Sequence, residues 1–285
     1  MHKGAVTLRS LLAPSLTVLC LAAPSLAAAA PPACPQFFRD GVPPVLVNAK
    51  LQPRTTLLCN DGYALLASGA TRGPLWSAEH LTATDVAAAR ETPRQGEFHP
   101  EERLPEADRA ELEDYRRSGY DRGHMTPSGD MPDEQTQQQT FSLANMVPQA
   151  AVLNRGDWAK IEMTVRDLAR QNNELFVVTG PIFTGGRVSA IGPHNVLVPT
   201  ATWKAVFDPR SGRSGVYSCT NTDTPQCQVI SVAALVRAAG VDPFPTGSAA
   251  SKRVAVALPL SGAGTPGRGN RPRSRGGQRG SYDSH

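Results

Sequence analysis

Apolar and polar positions change their period several times along this chain of 285 residues, and each change marks an element. Leu57-Leu58-Cys59 and Tyr63-Ala64-Leu65-Leu66-Ala67-Ser68 are apolar runs separated by Asn60-Asp61-Gly62. An Asp-Gly step supplies the backbone freedom of a tight turn, so this stretch predicts a β-hairpin. Residues 92–119 are polar and carry Pro93, Pro100 and Pro105. They predict a long exposed loop holding a short helix over Glu106–Arg117, before a strand at Asp121–His124. From Asn154 to Gln171, apolar side chains recur at Trp158, Ile161, Val165, Leu168 and Ala169, one face of a helix. Phe176-Val177-Val178-Thr179 reads as a buried strand ended by Gly180-Pro181. Val196-Leu197-Val198 and Trp203–Phe207 read as a further pair of strands, and Val232–Ala239 as a helix that Gly240 stops. Strands and helices do not alternate regularly and no internal repeat is visible. The expected fold class is therefore α+β, with a mixed, mainly antiparallel central sheet.

The two ends lack this patterning. Lys3 and Arg9 flank an apolar run from Leu11 to Leu26, followed by Ala27–Ala30. Basic flank, apolar core and small-residue exit describe a signal peptide over residues 1–30. Pro14 and Pro24 interrupt the run, which is short for a membrane span. The expectation is a secreted or periplasmic protein with no membrane attachment once the peptide is removed. Residues 31–260 form one expected domain. Residues 261–285 are Gly, Arg, Pro and Ser with almost nothing apolar, and such a segment buries too little to offset its ordering entropy; a disordered Arg/Gly-rich tail is expected.

Charge changes the picture once it is divided. The formal net charge is +4, but the signal region holds two basic residues and the tail five arginines against Asp283. The body keeps 22 basic and 24 acidic residues, so it is not a broadly basic surface. Any attraction for phosphate must come from local arrangement. Four cysteines remain after the signal: Cys34, Cys59, Cys219 and Cys227. An even count in an exported chain favours disulfides, and of the three connectivities, proximity favours Cys34–Cys59 with Cys219–Cys227. A zinc site is the competing reading, without Cys-x-x-Cys spacing to support it.

The chemistry is concentrated in three ordered blocks. They are Tyr120-Asp121-Arg122-Gly123-His124-Met125, then Thr140–Gln149 with Asn145 inside it, then Leu153-Asn154-Arg155-Gly156-Asp157-Trp158 with Glu162. In order and separation they resemble the DNA/RNA non-specific endonucleases of the ββα-metal (His-Me finger) fold, the family to which endonuclease G belongs. The likeness runs over roughly residues 34 to 258. Arg94-Gln95-Gly96-Glu97-Phe98 is more loosely similar to the family's Arg-x-x-x-Phe stretch.

The resemblance implies a metal-dependent nuclease acting on DNA and RNA with products ending in 5′-phosphate and 3′-hydroxyl. His124 is the expected general base, since a neutral imidazole can take a proton from water near working pH. Arg122 and Arg94 are expected on the substrate phosphates, with Asn145 a supporting group of the substrate site. Asn154 offers a hard amide oxygen to Mg2+, with Mn2+ the second candidate ion; the same residue also suits a helix N-cap. Glu162 lies about 80° further around a regular helix and reaches the same ion through water, or is a solvated helix side chain. Asp121 is expected to orient its neighbours. His80 stands where relatives often show arginine. The family contains dimers, so a homodimer is open. The alternative function is a nucleic-acid-binding protein of the same fold that cuts little or not at all, although binding alone needs no general base.

Overall fold

Seven antiparallel strands make the central sheet of the computed structural model, which describes residues 1–2, 33–185 and 188–260. The expected signal peptide, apart from its first two residues, and the Arg/Gly-rich tail lie outside the described residues. The chain enters through β1 (Thr55–Cys59), β2 (Ala64–Ser68) and β3 (Gly73–Thr82), then α1 (Ala83–Glu91). After the polar loop come β4 (Asp121–His124), α2 (Glu134–Thr140) and β5 (Met146–Gln149). Then follow α3 (Ala159–Asn172), β6 (Glu174–Ile182), β7 (Ala201–Asp208), β8 (Arg213–Thr220), β9 (Cys227–Ile230) and α4 (Val232–Ala239). The order across the sheet is β9-β8-β7-β6-β3-β2-β1. β4 and β5 form a separate two-stranded ribbon.

Alternation along the strands sorts side chains onto two faces. On β7, Trp203, Ala205 and Phe207 join Trp76, Val178, Leu235 and Phe244 in one apolar layer. Val206 of the same strand faces Trp158, Ile161 and Val165 of the long helix, with Leu81 and Val177. Both predicted disulfides are formed, Cys34–Cys59 and Cys219–Cys227. The second joins directly paired residues of β8 and β9.

Several expectations need correction. The helix over Glu106–Arg117 is broken into a 3-10 turn at Glu106–Asp108 and one short turn at Leu112–Tyr115, the latter capped by Glu111 and Asp114. Gly180-Pro181 does not end its strand, which runs to Ile182. β3 pairs β6 only as far as Thr179, so the missing N–H of Pro181 leaves no gap on that side. A Cβ on Gly180 would sit 2.6 Å from the Leu75 carbonyl, so glycine here serves close packing rather than termination. Val196–Leu197 pairs with Ala190–Ile191, not with β7, whose neighbours are β6 and β8. Asn154 is not a helix N-cap: helical structure begins at Ala151 and passes through a π-helical turn at Leu153–Trp158 before α3.

Candidate active site

The ribbon β4–β5 and the start of the long helix face each other across a cleft of about 360 Å³. Arg122 and His124 are two residues apart on β4 and therefore share a face. Their register is set by Arg122 opposite Pro148 and His124 opposite Met146. Gly123 between them has no room for a side chain, because a Cβ would meet the Gln149 side chain at 2.2 Å. Arg94, Arg122, His124, Asn154 and Glu162, five residues singled out from the sequence, all line this one cleft.

The π-helical turn has a geometric consequence. An i→i+5 turn takes up one extra residue, which sets the helix back by roughly 100°. Asn154 and Glu162, about 80° apart on a regular helix, are thereby brought towards alignment. The Asn154 Nδ2 donates to Asp121 Oδ2 at 2.9 Å, which leaves its carbonyl oxygen for another partner. Asp121 also accepts from Arg155, at 2.8 Å from Nε and 2.6 Å from Nη2. Those hydrogen bonds, Arg155's first, hold the Asp121 carboxyl below the usual range. Asp121 is thus an orienting group for the asparagine.

His124 is 9% exposed, with Phe141 edge-on at 5.0 Å and Phe98 at 5.8 Å between ring centroids. Its Nε2 is buried without a hydrogen-bond partner among the described residues. Burial, helped by the charge of Arg94, lowers the imidazole to about 3, so the ring is neutral at ordinary pH. Glu162 moves the other way. Burial raises its carboxyl to about 7, Asp130 adds to the rise, and Lys204 opposes it.

Asn145 supports the site from within rather than as a substrate contact: it is 0% exposed and does not line the cleft. Its Oδ1 accepts from the Thr126 N–H at 3.0 Å, and its Nδ2 donates to the carbonyls of Thr126 and Thr140, both at 2.9 Å. It fixes the chain just beyond His124. Among the described residues no group of three or more His, Cys, Asp or Glu could hold a metal ion. What the cleft offers is one amide oxygen and one carboxylate without a hydrogen-bond donor, a set that fits a hydrated hard cation.

The sequence profile of the DNA/RNA non-specific endonucleases matches residues 45–250. The chain belongs to that family. "Nuclease 1, mitochondrial" of Schizosaccharomyces pombe is 32% identical over 189 residues, covering 62% of this chain and 56% of that protein. "Nuclease" of a Nostoc species is 34% identical over 181 residues, covering 62% of this chain and 64% of that protein. The chain thus spans between about half and two thirds of these relatives' own length. EndoG, from the crystal structure of the EndoG/EndoGI complex, superposes with a TM-score of 0.61 at 29% identity, over 65% of this chain and 84% of that one. The α+β fold with its mainly antiparallel sheet is the endonuclease fold.

Three further residues belong to the picture and were not picked out beforehand. Arg155 and Arg166 line the cleft, and Arg166 Nη1 donates to the buried Asp130 Oδ1 at 2.7 Å. Arg166 follows Glu162 by four residues, a spacing that places both on one helix face and was a usable signal. Lys204, buried in β7, donates to Thr179 Oγ1 at 2.7 Å and to the Met125 carbonyl at 3.3 Å, next to His124. No local pattern distinguishes it from an ordinary strand lysine.

Proposed function

We propose that this protein is an exported, Mg2+-dependent endonuclease that hydrolyses phosphodiester bonds of DNA and RNA. The observation that carries the reading is the shared cleft. It joins a neutral imidazole, a free amide oxygen and an unpartnered carboxylate to four arginines. His124 accepts the proton of the water that attacks phosphorus. Arg122, with Arg94, offsets charge on the phosphoryl oxygens. Asn154 and Glu162 would hold the divalent ion, Asn154 held in orientation by Asp121. When bound, that ion supplies charge stabilisation at the departing 3′ oxygen, consistent with 5′-phosphate and 3′-hydroxyl products. Contacts to phosphate rather than base edges suit a substrate range covering both nucleic acids.

Two disulfides suit an oxidising compartment, and no helix among the described residues is long and apolar enough to cross a membrane. The disulfides support export, although several relatives are named as mitochondrial. Plasmid DNA and total RNA, each incubated with Mg2+ and with chelator, test the reading. Degradation of both only with Mg2+ is expected. Undiminished cutting in chelator sinks the metal assignment, and retention on nucleic acid without cutting favours the binding-protein alternative.

A further inference from the structure

The proposed base and the proposed phosphate cation share an unusual feature. Among the described residues neither Arg122 nor His124 has a side-chain hydrogen bond or an ion-pair partner to fix it. Aromatic rings occupy that role instead. The Arg122 guanidinium carbon lies 4.1 Å above the centre of the Phe98 ring. The same ring is 5.8 Å from the His124 imidazole and 5.0 Å from Phe141, which stands edge-on to His124 at 5.0 Å. Arg94 is over Phe141, at 5.5 Å from its centre. The two phenyl rings therefore form a wedge with the imidazole against it and one arginine on each ring.

The backbone carrying Phe98 is tied on both sides. Gln138 accepts from the Glu97 N–H at 3.0 Å and donates to the Glu97 carbonyl at 2.9 Å. His99 donates its N–H to the Phe141 carbonyl at 3.2 Å and accepts from the Leu143 N–H at 2.8 Å. Gly96, at φ 148°, lets the loop lie on Phe141, whose ring a Cβ there would meet at 2.3 Å. A loop otherwise rich in polar residues is thus fastened at the one place where its aromatic side chain enters the site.

We propose that Phe98 is a positioning residue that sets the spacing between Arg122 and His124 through stacking, in place of the hydrogen bonds these side chains lack. The inference rests on the endonuclease reading for its kinetic consequence, but the placement of the two side chains is testable without it. Stacking on a guanidinium needs a π face, whereas filling space beside an imidazole needs only volume. Phe98→Leu removes the first and keeps most of the second; Phe98→Tyr keeps both.

The experiment compares wild type, Phe98→Tyr, Phe98→Leu, Arg122→Ala and the Phe98→Leu/Arg122→Ala double variant with Mg2+ on one oligonucleotide. Misplacement of a reacting group by about 1 Å can lower rate by about 10²-fold. The expected loss for Phe98→Leu is therefore about 10–100-fold in kcat, with KM changing less and Phe98→Tyr near wild type. The double variant is expected to be no slower than Arg122→Ala, the non-additivity of groups acting as a unit. Wild-type kcat in Phe98→Leu, equal losses in Phe98→Leu and Phe98→Tyr, or full additivity would each overturn the proposal. The Arg122 Nε–H signal in NMR provides a reading independent of cutting. Its heteronuclear NOE is expected to report a rigid side chain in wild type and Phe98→Tyr and a mobile one in Phe98→Leu, where the stacked ring is gone. Equal values in all three refute the positioning role even if the wild type proves inactive, and an inactive wild type with the expected values refutes only the endonuclease reading.

Discussion

The two faces of the central sheet are made by the same strands and do opposite things. On one face Trp76, Trp203, Phe207 and Phe244 pack into an apolar layer with Val232 and Leu235 of α4. On the other, the paired residues Ser77, Thr179 and Lys204 form a polar row across β3, β6 and β7. Ser77 Oγ meets Thr126 Oγ1 at 2.7 Å, and Lys204 reaches the Met125 carbonyl, so the row supports the chain at residues 125 and 126. Glu79, two residues along β3, is 2% exposed, and burial together with Asp130 pushes its carboxyl up. A buried lysine and buried acids are expensive in an apolar layer and are kept where something nearby uses their charge. The first face serves stability alone, whereas the second combines an apolar cluster under the long helix with the groups of the proposed chemistry.

The largest effect that could break this division lies in the cleft. His124→Ala is expected to lower the cleavage rate by about 10²–10⁴-fold, since removal of a general base typically has that size. Cleavage assays on plasmid DNA at fixed Mg2+ measure it, and full activity in the variant would falsify the base assignment. The opposite face should behave in reverse. Trp203→Ala, at a wholly buried position whose Nε1 donates to the Pro181 carbonyl at 3.0 Å, is expected to cost about 3–5 kcal/mol in urea unfolding. Its activity per folded molecule should be unchanged. A large drop in kcat at low temperature, with the protein still folded, would mean that the faces are not separable.

Acidity distinguishes the faces next. His124, ordinarily near 6.5, is held at about 3 in the folded protein. The unfolded chain binds a proton that the folded one refuses. The corresponding stability is therefore complete above about 6.5 and is lost as pH falls towards about 3. Denaturant titrations should show a steeper loss over that window for wild type than for His124→Asn. The imidazole itself should not limit activity near pH 6. Glu162, raised to about 7 before any ion binds, must give up its proton to take one. Mg2+ affinity, followed by calorimetry, is expected to weaken as pH drops through about 7, and Glu162→Gln to bind weakly without that pH dependence. Lys204 opposes the rise at Glu162, so Lys204→Met should move the loss of affinity to higher pH. An unmoved pH dependence would remove Lys204 from the electrostatics of the site.

Legibility in the sequence follows the same division. The helix carrying Asn154 and Glu162 was readable because its apolar period is local, from Trp158 to Ala169. His124, Arg122, Arg94, Asn154 and Glu162 were found because their blocks keep order and spacing, and they do share a cleft. The π-helical turn at Leu153–Trp158 is not legible in the sequence, since no residue type requires it. The supporting role of Asn145 is legible in its motif, but its full burial is not, and its amide is fully engaged with the backbone. Lys204 and Glu79 depend on the register of three strands distant in sequence, which side-chain period alone does not specify.

The smallest expected effect concerns charge outside both faces. The body carries slightly more acidic than basic residues, so its phosphate attraction is concentrated in the arginines of the cleft. Five further arginines lie in residues 261–285. Each phosphate neutralised by protein changes the slope of log affinity against log salt by about 0.9 for duplex DNA. Deleting residues 261–285 should flatten that slope while leaving kcat at low salt close to wild type, because the tail supplies counter-charge and no reacting group. Replacing Arg155 in the cleft should do more, because its contacts with Asp121 also hold the partner of Asn154. Binding isotherms in chelator at several salt concentrations, paired with turnover at the lowest, separate the two kinds of arginine. An unchanged slope on deletion assigns all phosphate attraction to the cleft, whereas a loss of turnover would give the tail a part in the chemistry that its composition does not explain.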